Sequence, residues 1–333
     1  MFWANLGRPS VANQQQRSVT YFQMTEILTP EANGLARAAA FLRGGELVAF
    51  PTETVYGLGG DATNGRACAG IFAAKGRPSF NPLIVHVPDL AAAQEYAVIE
   101  GPLLRLAQAF WPGPVTIVAP LRAGHGLSDL VSAGLPSVAL RVPAHPLAQA
   151  LLRETGRPLA APSANPSGQI SPTTAAHVYA GLNGKIAAIL DGGACAVGLE
   201  STILGGDPVR LMRAGGLAVE EVEAQLGHPL PEDTTPGKIQ APGQLSSHYA
   251  PDAPVSLNIT DRHAGRTLIG FGEVMGDLTL SESGDLVEAA SRLFGALHTA
   301  DALGLPIDVA PIPNVGLGRA INDRLTRAAA PRS

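Results

Sequence analysis

Short apolar runs, separated by helix-length segments, restrict this chain to a layered α/β fold. Glu46 to Phe50, Leu83 to Val87, Val115 to Ala119, Val138 to Val142, Ile186 to Leu190, Ser201 to Leu204 and Arg266 to Phe271 read as strands. Each is strand-length and ends near Pro, Gly or a polar cluster. Leu159-Ala160 adds a shorter one. Between them, residues 66–75, 101–110, 146–155, 173 to about 181, Val219 to Leu226, 285–303 and 315–329 have helical composition. Such alternation predicts α/β layers, with a sheet in the first half that is mixed and not purely parallel.

A chain of 333 residues is too long for one ordinary core, so two domains are expected. Pro229 to Pro254 is dense in Pro, Gly, Ser and Thr without periodicity, and reads as a linker. That leaves residues 24–228 as the first domain, 229–254 as the linker and 255–333 as a smaller α/β domain. Residues 1–23 are polar and lack the apolar centre of a signal peptide, so they read as a disordered leader or as lying upstream of a natural start at Met24. Thr29-Pro30-Glu31 then opens the first helix, which continues through the helix-forming stretch Ala36 to Leu42.

Composition excludes several classes. No run reaches the roughly 18 apolar residues of a membrane span. Cys68 and Cys195 are too few and too isolated for a disulfide framework or structural zinc, which fits a reducing cytoplasm. A net charge of -5 gives no global basic field for nucleic acid or anionic lipid.

The chemistry concentrates between Phe50 and Val87 and recurs further on. Read as a strand, Thr52-Glu53-Thr54-Val55-Tyr56 points Thr52, Thr54 and Tyr56 one way. Ser137, Ala139 and Arg141 likewise share a face, with Val138, Leu140 and Val142 on the other. Such a face is either the solvated side of a sheet or the floor of a polar pocket. His86, set in an apolar run, is either hydrogen-bonded structure or part of a site. Lys75-Gly76-Arg77 ends a helix, where cations complement the dipole, yet Asn81-Pro82 and the His86 strand follow directly. Ser171 is placed to cap the helix near 173, and clustered amides there also suit phosphate. Polar and cationic groups at this density are expensive to bury alone, and a ligand with several anionic oxygens would partner them. No P-loop is present, and Gly270-Phe271-Gly272 is followed by Gly276 one residue too late for a dinucleotide fingerprint. Gly-x-Ser-x-Gly and His-x-x-x-His are also absent.

Pro51-Thr52-Glu53-Thr54-Val55-Tyr56-Gly57-Leu58, Lys75-Gly76-Arg77-Pro78, Asn81-Pro82-Leu83 and Trp111-Pro112-Gly113-Pro114 occur in that order. Arg141-Val142-Pro143, Ala161-Pro162-Ser163-Ala164-Asn165, Glu200-Ser201-Thr202-Ile203 and His248-Tyr249-Ala250-Pro251 follow. This ordered set resembles the threonylcarbamoyl-AMP synthases, in the long two-domain form of the YrdC-like group, over about residues 25–330. The resemblance implies a twisted mixed-sheet YrdC-like catalytic domain, a linker and a smaller Rossmann-like α/β domain. It also implies a nucleotidyltransferase that joins L-threonine, bicarbonate and ATP into threonylcarbamoyl-AMP and releases pyrophosphate. Other proteins would then transfer the threonylcarbamoyl group to tRNA, forming N6-threonylcarbamoyladenosine.

By motif match, the resemblance assigns L-threonine to Thr54, His86, Arg141, Ala161 (through its backbone) and Ser201. It assigns ATP to Arg77, Asn81, Ser137, Ser163, Ser171 and Arg213, with Tyr249 as the linker residue that closes over the nucleotide. Lys75 and Arg77 are the implied catalytic cations, and Mg2+ is expected to arrive on ATP with no resident metal site. Two departures stand out: Arg213-Ala214-Gly215 where relatives often have Arg-Pro-Gly, and Gln244-Leu245-Ser246-Ser247 where some carry basic and aromatic residues. The rival reading is a non-catalytic RNA-binding module in translation or ribosome maturation, which the charge disfavours beyond weak tRNA contact. A hydrogenase-maturation carbamoyltransferase would need cysteine-rich zinc fingers that two cysteines cannot form.

Overall fold

The computed structural model describes residues 24–78, 81–231 and 248–331. The expected leader at 1–23 and the linker residues 232–247 lie outside the described residues. The first unit is one large sheet. Its strands are β1 (Glu26–Leu28), β2 (Val48–Phe50), β3 (Gly57–Asp61), β4 (Ile84–His86) and β5 (Val115–Pro120). They continue as β6 (Ser137–Arg141), β7 (Leu159–Ala160), β8 (Ala188–Leu190), β9 (Thr202–Gly205) and β10 (Arg210–Arg213). Their spatial order is β1-β8-β2-β3-β7-β4-β6-β5-β9-β10, with parallel and antiparallel pairs mixed.

Alternation along these strands builds two cores and leaves a gap. Ala49, Leu83, Val85, Ile117 and Leu140 pack into the main core beneath the sheet. On the opposite face, Phe50 packs with Leu42 of α1 (Ala32–Arg43) and Leu151 of the helix Pro146–Thr155. Ile84, Val118, Ala139 and Ile203 form a separate small cluster. His86 and Arg141 belong to the strand faces that carry Ile84 and Ala139, so polar side chains occupy the sheet at these positions.

The second unit is a four-stranded parallel sheet of β11 (Val255–Leu257), β12 (Thr267–Gly270), β13 (Leu278–Thr279) and β14 (Ile307–Val309), ordered β11-β14-β12-β13. The helices Leu286–Ala302 and Gly318–Ala329 belong to it. Its core of Leu293, Phe294, Ile307 and Ile321 also takes in Val55, Ile170 and Leu199 from the first unit. The two units therefore share apolar packing.

Several local expectations need correction. Residues 52–56 are a turn and not a strand: Thr52 Oγ1 accepts the amides of Thr54 (3.2 Å) and Val55 (3.3 Å). A hydroxyl that closes its own backbone competes with sheet pairing. Alternation consequently fails there, and the Tyr56 hydroxyl leaves its threonine neighbours to donate to Gly193 O at 2.8 Å. The helix expected from 173 begins at Ala175, and its cap is Thr174, whose Oγ1 accepts the His177 amide. Ser171 is thus not a cap. The strands β1, β3, β10, β11, β13 and β14 were not expected. Most are too short to show a period, and β3 is Gly-Leu-Gly-Gly-Asp, poor in strand formers. Packing explains that choice: a Cβ at Gly59 would lie 2.8 Å from the Phe50 ring.

Candidate active site

A cleft opens between β4, β6 and the segments at 52–57, 161–163, 200–201 and 248–249. Three groups of side chains build its wall.

The first comes from the helix Gly65–Lys75. Asn64 caps it by accepting the amides of Arg66 and Ala67, and Gly76 ends it in the left-handed conformation at φ 61°. That turn sets Lys75 and Arg77 on either side of a sharp reversal. Lys75 Nζ donates to the carbonyls of Ser163 and Asn165, while Arg77 donates to the carbonyls of Asn81 (3.3 Å) and Pro82 (3.0 Å). Both are buried, and among the described residues neither forms an ion pair with a carboxylate. Burial, helped by Arg77, pushes the Lys75 ammonium well below its ordinary range, against the pull of Glu200. Its carbonyl partners nevertheless favour the charged form. Burial lowers Arg77 only to about 10, so it stays cationic at neutral pH. The amide of Asn81 is fully buried with neither Oδ1 nor Nδ2 partnered among the described residues.

The second group centres on Arg141. Register pairs it with His86 across β4 and β6, so the two sit side by side. Its guanidinium donates to Thr54 Oγ1 at 2.8 Å, to Glu53 Oε1 at 2.7 Å and to Gly113 O at 3.3 Å. Thr52 Oγ1 donates to Val55 O at 2.7 Å, which leaves the Thr54 hydroxyl to donate to Thr52 Oγ1 at 2.7 Å. His86 is buried, and its Nδ1 has no partner among the described residues. Burial, then the charge of Arg141, lower it to about 3, so its imidazole is neutral.

The third group lies on the far side. Ser201 Oγ meets Thr116 Oγ1 at 2.7 Å, and Arg213 donates to Ser201 O at 2.8 Å and Oγ at 3.2 Å. Glu200 accepts from Ser171 Oγ at 2.5 Å and from Arg324 Nε at 2.9 Å. Tyr249 closes the wall, buried against Phe294 at 5.6 Å with the Arg324 guanidinium 5.2 Å from its ring centre.

Of the residues singled out in the sequence, Thr54, Arg77, His86, Arg141, Ala161, Ser163, Ser201, Arg213 and Tyr249 line the cleft. Lys75 and Ser171 stand behind it through their bonds to Ser163 and Glu200, and Asn81 stands behind Arg77. Ser137 shares a strand face with Arg141 but lies at the far end of β6, opposite Pro120. Four residues along a strand place it roughly 13 Å away, outside the wall. Ala161 donates its amide to Ile84 O, so its carbonyl is what it can still offer. Sequence reasoning passed over Glu53, Thr116, Glu200 and Arg324. A carboxylate directly before the strand expected at Ser201 to Leu204 was a signal for Glu200; Arg324, one charge on an amphipathic helix, gave none.

Residues 40–215 match the Sua5/YciO/YrdC family, described as telomere recombination, and 217–330 match the threonylcarbamoyl-AMP synthase C-terminal domain. The chain is 41% identical to the threonylcarbamoyl-AMP synthase of Bacillus subtilis, over 94% of this chain and 97% of that one. It is 39% identical to the Pyrococcus abyssi synthase, over 87% and 92% of the two chains. The crystal structure of P. abyssi Sua5 complexed with L-threonine superposes with a TM-score of 0.84 at 37% identity, covering 92% of this chain and 98% of that one.

Proposed function

The chain belongs to the threonylcarbamoyl-AMP synthase family, and from that premise we propose that it condenses L-threonine, bicarbonate and ATP into threonylcarbamoyl-AMP and pyrophosphate. One observation carries this reading: among the described residues, Arg77 is a buried, cleft-lining cation backed only by carbonyls, with Arg141 and Arg213 in the same wall of hydroxyls. Such a wall suits a polyanion.

Each reactant finds matching chemistry. The threonine carboxylate lies against Arg141 and the Thr54 hydroxyl, which can turn from Thr52 to the ligand. Carbamate formation needs a neutral threonine amine, and the neutral His86 accepts an N–H from it without adding charge. Ser201 and the Ala161 carbonyl complete the amino-acid end. The carbamate oxygen then attacks the α-phosphorus of ATP, and pyrophosphate leaves. Arg77 and Arg213 meet the charge that builds on the phosphates, with Asn81, Ser137, Ser163, Ser171 and Tyr249 around the nucleotide. Fixed donors at that charge are worth more than a strong general base for this step. Lys75 acts from behind, holding the Ser163–Asn165 carbonyls while adding its field.

The donor set of the cleft fits Mg2+ carried on phosphate oxygens. Its Glu200 carboxylate is already engaged by Ser171 and Arg324, and the described residues contain no group of three or more His, Cys, Asp or Glu able to hold a metal. When bound, the ion would neutralise phosphate charge.

The test is pyrophosphate release with ATP and Mg2+, omitting threonine and bicarbonate in turn, with the nucleotide product weighed. Release that requires both, with the threonylcarbamoyl-AMP mass, is expected. Release with neither reduces the chain to an ATP pyrophosphohydrolase.

A further inference from the structure

Glu200 is an awkward residue for a cleft that receives a triphosphate. It lines the wall, is buried, and stays ionised because Arg324 and Arg213 offset its desolvation. An unneutralised carboxylate there would repel phosphate oxygens, and the low dielectric of a buried site strengthens that repulsion. The first of these partners, and the one that bonds the carboxylate, comes from the other unit. Arg324 lies on the helix Gly318–Ala329 and is completely buried. It donates Nε to Glu200 Oε2 at 2.9 Å, and Nη1 to Ala214 O at 2.9 Å and Asp323 Oδ2 at 2.7 Å. Ala214 directly follows Arg213, so one guanidinium grips both the carboxylate and the backbone beside the phosphate-facing arginine.

We propose that Arg324 is a positioning residue of the nucleotide site: it holds the Glu200 carboxylate turned from the phosphates and fixes the backbone from which Arg213 projects. The second unit therefore completes the ATP end of the cleft and leaves the threonine end, built on Arg141 and Thr54, to the first. This rests on the synthase reading above. A plain staple between the units would use the same contacts, but it would not distinguish ATP from threonine.

The experiment uses the full chain with R324M, R324K, E200Q and the E200Q/R324M pair. KM is measured for ATP and threonine separately, and ATP binding by calorimetry without threonine or bicarbonate. For R324M the ATP KM and Kd should rise roughly tenfold, from the restored repulsion of one buried charge, while the threonine KM, which senses Arg324 only through Ser201, moves far less. Removing the carboxylate as well should recover most of that loss. R324K keeps the charge without the fork and should fall between. An ATP KM that does not move, or a double variant no better than R324M, overturns the proposal. Should R324M fail to fold, the ATP-against-threonine split in R324K decides. Failure of the unaltered chain to make threonylcarbamoyl-AMP would strike the synthase reading instead, since calorimetric ATP binding reports on Arg324 without turnover.

Discussion

Two regions of the molecule, the Asp308 cluster and the Lys75–Arg77 turn, treat buried charge in opposite ways. In the four-stranded sheet, Asp308 on β14 is almost fully buried and receives Arg266 Nε at 2.7 Å and His263 Nδ1 at 2.8 Å. That cluster is closed, with each charge answered inside the fold. Where the helix Gly65–Lys75 ends, Lys75 and Arg77 are also buried yet hold only neutral oxygens among the described residues, whereas Arg141 on β6 is answered by Glu53. A charge left uncompensated costs stability and is kept where something else will supply its partner. The difference marks which half of the molecule awaits an anion.

Arg77→Met attacks that contrast most directly. Loss of a donor aimed at developing charge should cut kcat/KM for ATP by about 10²–10³, while the melting temperature holds or rises as an uncompensated cation is removed. A clear drop in melting temperature would show that Arg77 is answered within the fold after all. Asp308→Asn should do the reverse. It should destabilise the chain by about 2 kcal/mol, discounted because Arg266 and His263 are partly exposed, and leave the ATP KM unchanged. A shifted ATP KM in that variant would erase the distinction.

The smallest effect is in pH. Burial lowers His86 and His248 to about 3 and His177 to about 4, from an ordinary value of 6.5. Between 6.5 and those values the unfolded chain binds more protons than the folded one. Stability from these groups is therefore complete above 6.5 and falls as pH drops toward 4 and then 3. Melting curves across that range should show the loss, and His86→Asn should flatten it. A slope unchanged by that substitution would mean that folding does not lower the proton affinity of His86.

Legibility from sequence followed the length over which a pattern repeats. Helices such as Gly101–Phe110 and Pro146–Thr155 were placed by periodicity and their Pro and Gly boundaries. Short strands such as Ile84–His86 were read because apolar neighbours extend the run on both sides, whereas Leu278–Thr279 sits between Asp277 and Leu280-Ser281 with no such run. Within the site, Arg141 was readable because a cation at alternating spacing with Ser137 sits inside an apolar strand. That same spacing put Ser137 on the face of Arg141, but a shared face says nothing of distance along it. Thr52 and Tyr56 were read as facing one way because a self-closing threonine turn has the composition of a strand. Arg324 was invisible: its partner Glu200 is 124 residues away, and only the packing of one unit on the other joins them.

That last separation governs the order in which the cleft can come into being. Every residue that lines its wall lies earlier in the chain than Arg324. As a ribosome extends the polypeptide, the sheet, the arginines and the hydroxyls emerge and can fold while Glu200 still has no cation from the second unit beside it. The newborn pocket is thus assembled in two instalments: Ser171 and Arg213 meet its acidic wall residue in the first, and Arg324 completes the set in the second.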